Sequence, residues 1–161
     1  MNQRAVIQRR GFSLIEVVIA VIILAIAVPP MLGLLDSTAA RRADAVNTTR
    51  ATILASSVLE GVLADVASTD ALLGMAALDD ANAYLNTPTT GFVARMMNTT
   101  TSYVKYGFTY TVEIGSLVSA DGTVSASSGE NIFRVVTVRV VYPSAVGADF
   151  SLPISLMVTE L

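Results

Sequence analysis

Nineteen consecutive uncharged residues, Val17 to Leu35, read VVIAVIILAIAVPPMLGLL. As a helix rising 1.5 Å per residue, a stretch of that length covers a hydrocarbon core of about 30 Å. It constrains the fold more than any other feature, because a helix apolar all round must end in lipid or against other apolar helices. Before it stands MNQRAVIQRR, which holds Arg4, Arg9 and Arg10 and no acid. Basic residues gather on the cytoplasmic side of a span. The order therefore predicts an N-in, C-out chain with everything after Leu35 on the opposite side. The content of 53% apolar and 14% charged residues fits lipid contact for part of the chain.

A secretory signal peptide has a shorter apolar region, about 7–15 residues, and ends at a small-residue cleavage site. Here the stretch is longer and a glutamate, Glu16, stands at its start. Taken alone, Glu16 reads as an interfacial carboxylate that snorkels to the headgroups. Its context is Arg9-Arg10-Gly11-Phe12-Ser13-Leu14-Ile15-Glu16-Val17. That run resembles the N-terminus of the type IV pilin-like family: type IV pilins, type II secretion pseudopilins and competence pseudopilins. Family members share a basic leader, a Gly before the scissile bond, a Phe that becomes the new N-terminus, and a Glu four residues after it. The likeness covers about the first 35 residues and is greatest to a minor pseudopilin of type II secretion or a minor type IV pilin.

The resemblance implies cleavage between Gly11 and Phe12 by a membrane-embedded prepilin peptidase, and N-methylation of the freed amine of Phe12. It also implies residence in the bacterial inner membrane, then assembly with other major and minor pilins or pseudopilins into a periplasmic or extracellular filament, within an initiation or tip complex. Glu16 is then the assembly residue. A charge inside an apolar assembly costs several kcal/mol unless paired, so Glu16 of one subunit is expected to meet the terminal amine of its neighbour. The role is structural; no enzyme activity, cofactor or metal is expected.

Composition points the same way. The chain has no His, no Cys and no Trp, which removes imidazole bases, thiolate chemistry and Cys/His zinc sites. From Phe12 onward seven basic residues face thirteen acidic ones, a net of −6, so no nucleic-acid partner is expected. The run Lys105-Tyr106-Gly107-Phe108-Thr109-Tyr110 interleaves basic and aromatic residues, but Tyr106 stands where an RNA-stacking strand needs glycine. Tyr106, Phe108 and Tyr110 read instead as core. Asp79-Asp80 lacks the ligand spacing of a calcium loop and reads as solvated acids on a surface helix.

The expected organisation is a cleaved leader over 1–11, a transmembrane or filament-core helix over 12–35, and a periplasmic head over 36–161. Pro29-Pro30 predicts a kink, a melted stretch or the end of the membrane helix, with Asp36-Ser37-Thr38 available to cap a second one. Ala39, Ala43, Val46, Ile53, Leu54, Val58, Leu59, Val62 and Leu63 form an apolar stripe up to Val66. Arg41, Arg42, Asp44, Asn47, Arg50, Ser56 and Asp65 lie opposite. The segment 67–102 reads as a short helix or loop. Three alternating runs then predict strands, Tyr103 to Ile114, Ile132 to Tyr142, and Phe150 to Val158, with a long loop over Ser116 to Asn131.

The fold class is α+β and pilin-like, a long N-terminal helix packed on a small antiparallel sheet. Two other readings fit the same residues: a pilin-like tip module that captures DNA or a surface ligand, and an unprocessed single-pass membrane-anchored domain.

Overall fold

A computed structural model describes residues 12–70 and 72–159. Helix α1 runs from Leu14 to Val66, and the chain divides within it into two compact units, Met1–Arg41 and Arg42–Leu161. In the first unit every described residue up to Ala39 is exposed, and no part of the most apolar 18-residue window is buried. The melted stretch or helix end expected at Pro29-Pro30 does not occur: α1 is helical through both prolines. The pyrrolidine ring holds φ near its helical value, and only the carbonyls of Ala25 and Ile26, adjacent on one turn, lose their donors. Asp36-Ser37-Thr38 caps nothing. Ser37 and Thr38 lie inside the helix and donate their hydroxyls back to Leu34 O at 3.0 and 2.7 Å.

In the second unit the C-terminal half of α1 packs on a three-stranded antiparallel sheet of order β1-β2-β3, with β1 Thr109–Val118, β2 Phe133–Tyr142 and β3 Phe150–Thr159. Ala51, Leu54, Ala55, Val58 and Val62 interlock with Val136, Val138 and Val140 of the central strand, all at most 1% exposed. This stripe is narrower than expected, since Ala39, Ala43, Val46, Ile53 and Leu63 face outward. Asp65, expected on the polar face, is buried. Asp44 and Asn47 also turn inward, where Asp44 Oδ1 accepts from Ala145 N–H at 2.7 Å and Asn47 Nδ2 donates to Pro143 O at 3.1 Å.

The segment 67–102 holds more helix than expected. A 3₁₀ turn, Met75–Asp79, leads to α2, Ala81–Asn86, and then to α3, Phe92–Val104. Helix α3 contains Asn98-Thr99-Thr100-Thr101-Ser102, residues of poor helix propensity. Two of the threonines direct their hydroxyls at carbonyls four residues back, Thr100 to Met96 O and Thr101 to Met97 O, the arrangement such residues adopt inside a helix. Phe92 and Thr100 are buried, so packing holds what propensity does not.

Because α3 continues to Val104, the first strand starts at Thr109 rather than Tyr103, and Val104 and Tyr106 are exposed instead of lying in the core. Phe108 is buried and Tyr110 half-buried, as expected. Gly107 makes the turn between helix and strand at φ +80. Strands β2 and β3 lie within a residue of their expected bounds. β1 extends past Ile114 through a bulge, where Ile114 pairs with Val136 but Leu117 with Arg134.

Asp79 and Asp80 are not simply solvated acids on a helix. Asp79 pairs with Arg134, a buried arginine at the bulge that also donates to Gly115 O at 3.0 Å. Asp80 caps α2 through its Oδ1, which accepts from Ala83 N–H at 2.9 Å.

Candidate processing and assembly site

Ser13 starts the helix. The N–H of Glu16 donates to Ser13 O at 3.1 Å and to Ser13 Oγ at 3.3 Å, and Val17 N–H also donates to Ser13 O at 3.2 Å. Ser13 is therefore an N-cap and Glu16 the third residue of the first turn, the Ser-x-x-Glu spacing of a capping box. The spacing that signals this cap, Ser13-Leu14-Ile15-Glu16, is local and legible in the residue order. A carboxylate in the first turn also complements the partial positive charge of the helix N-terminus.

Phe12 lies one residue before the cap and is exposed. Gly11 and the leader 1–11 lie outside the described residues. Among the described residues, the Glu16 side chain makes no hydrogen bond or ion pair, leaving its carboxylate open to a partner. Cap, aromatic residue and acid thus stand together at the start of an apolar helix on which none of the described residues packs.

A second polar cluster lies in the second unit, where α1 ends. Arg95 of α3 holds Asp65 with both terminal nitrogens, and Tyr84 of α2 donates its hydroxyl to Asp65 Oδ2 at 2.6 Å. Burial, then the hydrogen bond to Asp65, pushes the Tyr84 phenol well above its ordinary range. The hydrogen bond to Asp65 likewise raises the Arg95 guanidinium, keeping it charged. Beside the cluster is a cleft of about 520 Å³, lined in part by Leu72, Leu73, Tyr84, Thr90 and Arg95. Arg95 is already engaged by Asp65 and, through Nε, by Thr90 O at 3.0 Å. The three groups join α1, α2 and α3 and need no ligand to be satisfied. Among the described residues, no group of three or more acids could hold a metal ion.

The prokaryotic N-terminal methylation motif matches residues 8–28 of the chain. This stretch contains Phe12, the Ser13 cap, Glu16 and the first half of the apolar segment, and it identifies a type IV pilin-like prepilin motif. No curated protein and no solved structure matches the chain.

Proposed function

We propose that this chain is a structural pilin-like subunit, a minor pilin or pseudopilin, whose chemistry is assembly and not catalysis. The observation that carries the reading is the methylation motif over residues 8–28 at the head of an apolar helix that none of the described residues covers. In this reading prepilin peptidase cuts between Gly11 and Phe12, and the freed amine of Phe12 is methylated. The helix spans the inner membrane N-in and C-out before the subunit joins other major and minor pilins or pseudopilins in a type II secretion pseudopilus or type IV pilus, as part of its initiation or tip complex.

Cleavage would free an amine two residues before the α1 N-terminus. Glu16 would then meet the amine of a neighbouring subunit, which would meet the cost of holding either charge in an apolar assembly. A Glu16 carboxylate without a partner among the described residues, its backbone already tied into the cap, supports that role.

The test is to produce the full chain with and without a prepilin peptidase and determine the N-terminus and intact mass of the membrane product. A peptidase-dependent chain beginning at Phe12 and carrying one added methyl group is expected. Retention of the leader, under conditions in which an authentic pilin is cut, would overturn the reading. Glu16→Gln should still be cut but should co-assemble poorly with partner pilins.

A further inference from the structure

The second unit differs in chemistry at its two ends. One is where the chain enters, at Arg42. There Asp44 and Asn47 of α1 hold the 143–145 segment, and a β-carbon built on Gly107 would lie 3.5 Å from Pro143 Cγ. The turn after α3 and the loop before β3 thus form one continuous surface. On it Tyr106, Val146 and Phe150 are 59, 72 and 44% exposed.

The Arg50 guanidinium stacks over the Tyr106 ring, 5.2 Å from its centroid, and Arg42 and Lys105 are exposed nearby in the chain. The acids here are Asp149 and Asp44, the latter accepting from Ala145 N–H, two negative charges against the three cations. The opposite end, where α1 stops and the 119–132 loop turns, is acidic. It carries Asp70, Asp80, Asp121 and Glu130, while its cations Arg95 and Arg134 are consumed by Asp65 and Asp79.

Only six residues separate Leu35, the last of the uncharged stretch, from Arg42. However that link is arranged, it cannot exceed about 25 Å at full extension. Whatever inserts the apolar segment in lipid therefore tethers Arg42, where the basic, aromatic end begins, within about 25 Å of the same lipid. A tyrosine and a phenylalanine flanked by arginine and lysine are what an interface of acyl chains and phosphates favours.

We propose that this end of the unit, Tyr106 with the Val146–Phe150 segment, rests on the anionic lipid surface, with Arg42, Arg50 and Lys105 meeting lipid phosphates. The inference depends on the membrane-span reading of residues 17–35 given above. It adds a peripheral lipid contact that keeps the head oriented until the subunit leaves the membrane.

The chain has no tryptophan, so one indole reports one position. Full-length chains carrying Tyr106→Trp, Val146→Trp, Leu72→Trp or Ile22→Trp are reconstituted in phosphatidylcholine, with and without phosphatidylglycerol. Part of the lipid is brominated near the glycerol or deep in the acyl chain.

With phosphatidylglycerol, the indoles of Tyr106→Trp and Val146→Trp should both lose emission to bromine near the glycerol. That of Leu72→Trp, at the acidic end, should stay bright and remain open to iodide. Adding Arg42→Glu and Lys105→Glu to the Tyr106→Trp chain should abolish the extra loss caused by phosphatidylglycerol, as should high salt.

If both reporters behave like Leu72→Trp the proposal is wrong, and if they are shielded only when partner pilin-like subunits are added the surface serves a protein and the proposal is equally wrong. The Ile22→Trp chain separates the two readings. Quenching by deep bromine there, with none at 106 and 146, overturns the lipid contact alone, whereas no quenching at position 22 overturns the span and the contact together.

Discussion

Arg95 of α3 and Asp65 in the last turn of α1 form a bidentate ion pair, Nη1 to Oδ1 at 2.6 Å and Nη2 to Oδ2 at 2.5 Å. The two sides are unequally exposed: the Asp65 side chain is 8% accessible and that of Arg95 34%. Removing either partner therefore leaves a different remainder. Arg95→Ala strands a buried carboxylate with one phenol for company and should cost about 3 kcal/mol. Asp65→Ala frees a guanidinium that water can reach, leaves the Tyr84 hydroxyl without its acceptor, and should cost about 2 kcal/mol. Guanidine denaturation of the full chain in detergent, followed by tyrosine near-ultraviolet circular dichroism, should rank them in that order; the reverse order would mean that the cluster is not electrostatically asymmetric.

Leu54 and Ile53 are neighbours on α1 with opposite surroundings, one 1% and the other 51% exposed. Leu54→Ala opens a cavity against the central strand and should cost about 2–5 kcal/mol. Ile53→Ala should stay within about 0.5 kcal/mol for the unassembled chain. Equal losses in the same denaturation experiment would show that α1 is rotated from the face described above.

The turn between α2 and α3 contains two residues with opposite conformational needs. Thr89 has a left-handed φ of 69, a strained choice for a β-branched side chain, so Thr89→Gly should relieve about 1 kcal/mol. At Gly91 a β-carbon would lie 2.6 Å from the backbone N and O of Thr87. Gly91→Ala should therefore cost more than about 2 kcal/mol, because backbone has to move. Thermal midpoints shifting in opposite directions would support both assignments; an unaffected Gly91→Ala chain would refute the close approach.

Alkali and acid should each weaken the fold through identifiable groups. The Tyr84 phenol is raised by burial and by its hydrogen bond to Asp65, and burial also raises Tyr110. Both favour the neutral form in the folded chain. Their contribution is complete below the ordinary phenol value of about 10 and is lost as pH climbs beyond it, where the unfolded chain ionises first. Tyr84→Phe should flatten part of that alkaline slope.

At the acid end, hydrogen bonds from Ser119 and Thr123 lower the Asp121 carboxyl from 3.8 to about 2. Its contribution is present above the ordinary value and fades as pH falls from about 4 toward 2. Asp121→Asn should remove that small dependence. Denaturation midpoints measured across both ranges test the two slopes, and an alkaline slope that Tyr84→Phe leaves unchanged would rule out the phenol as its source.

Much of this arrangement is legible in the residue order because it depends on local periodicity. The uncharged run, the three alternating strands and the Ser13-x-x-Glu16 spacing each satisfy a rule that operates within a dozen residues. α3 was obscured because its Asn98 to Ser102 run disfavours a helix locally, while buried Phe92 and Thr100 supply the compensation from outside the segment. The strand start was misplaced for the same reason: Tyr103 to Ile114 alternates as far as pattern goes, but Tyr103 and Val104 belong to the helix that packing completes.

From order alone came the apolar helix, the N-terminal methylation motif over residues 8–28 and the α+β class, since hydrophobic period and charge asymmetry are properties of neighbours along the chain. Only the tertiary structure decided that Asp65 lies inside rather than on the polar face, that Asp79 pairs with Arg134, and that Arg50 stacks over Tyr106. Each depends on a partner 30 or more residues away, and a charged side chain tolerates burial only where such a partner arrives to replace the water it loses.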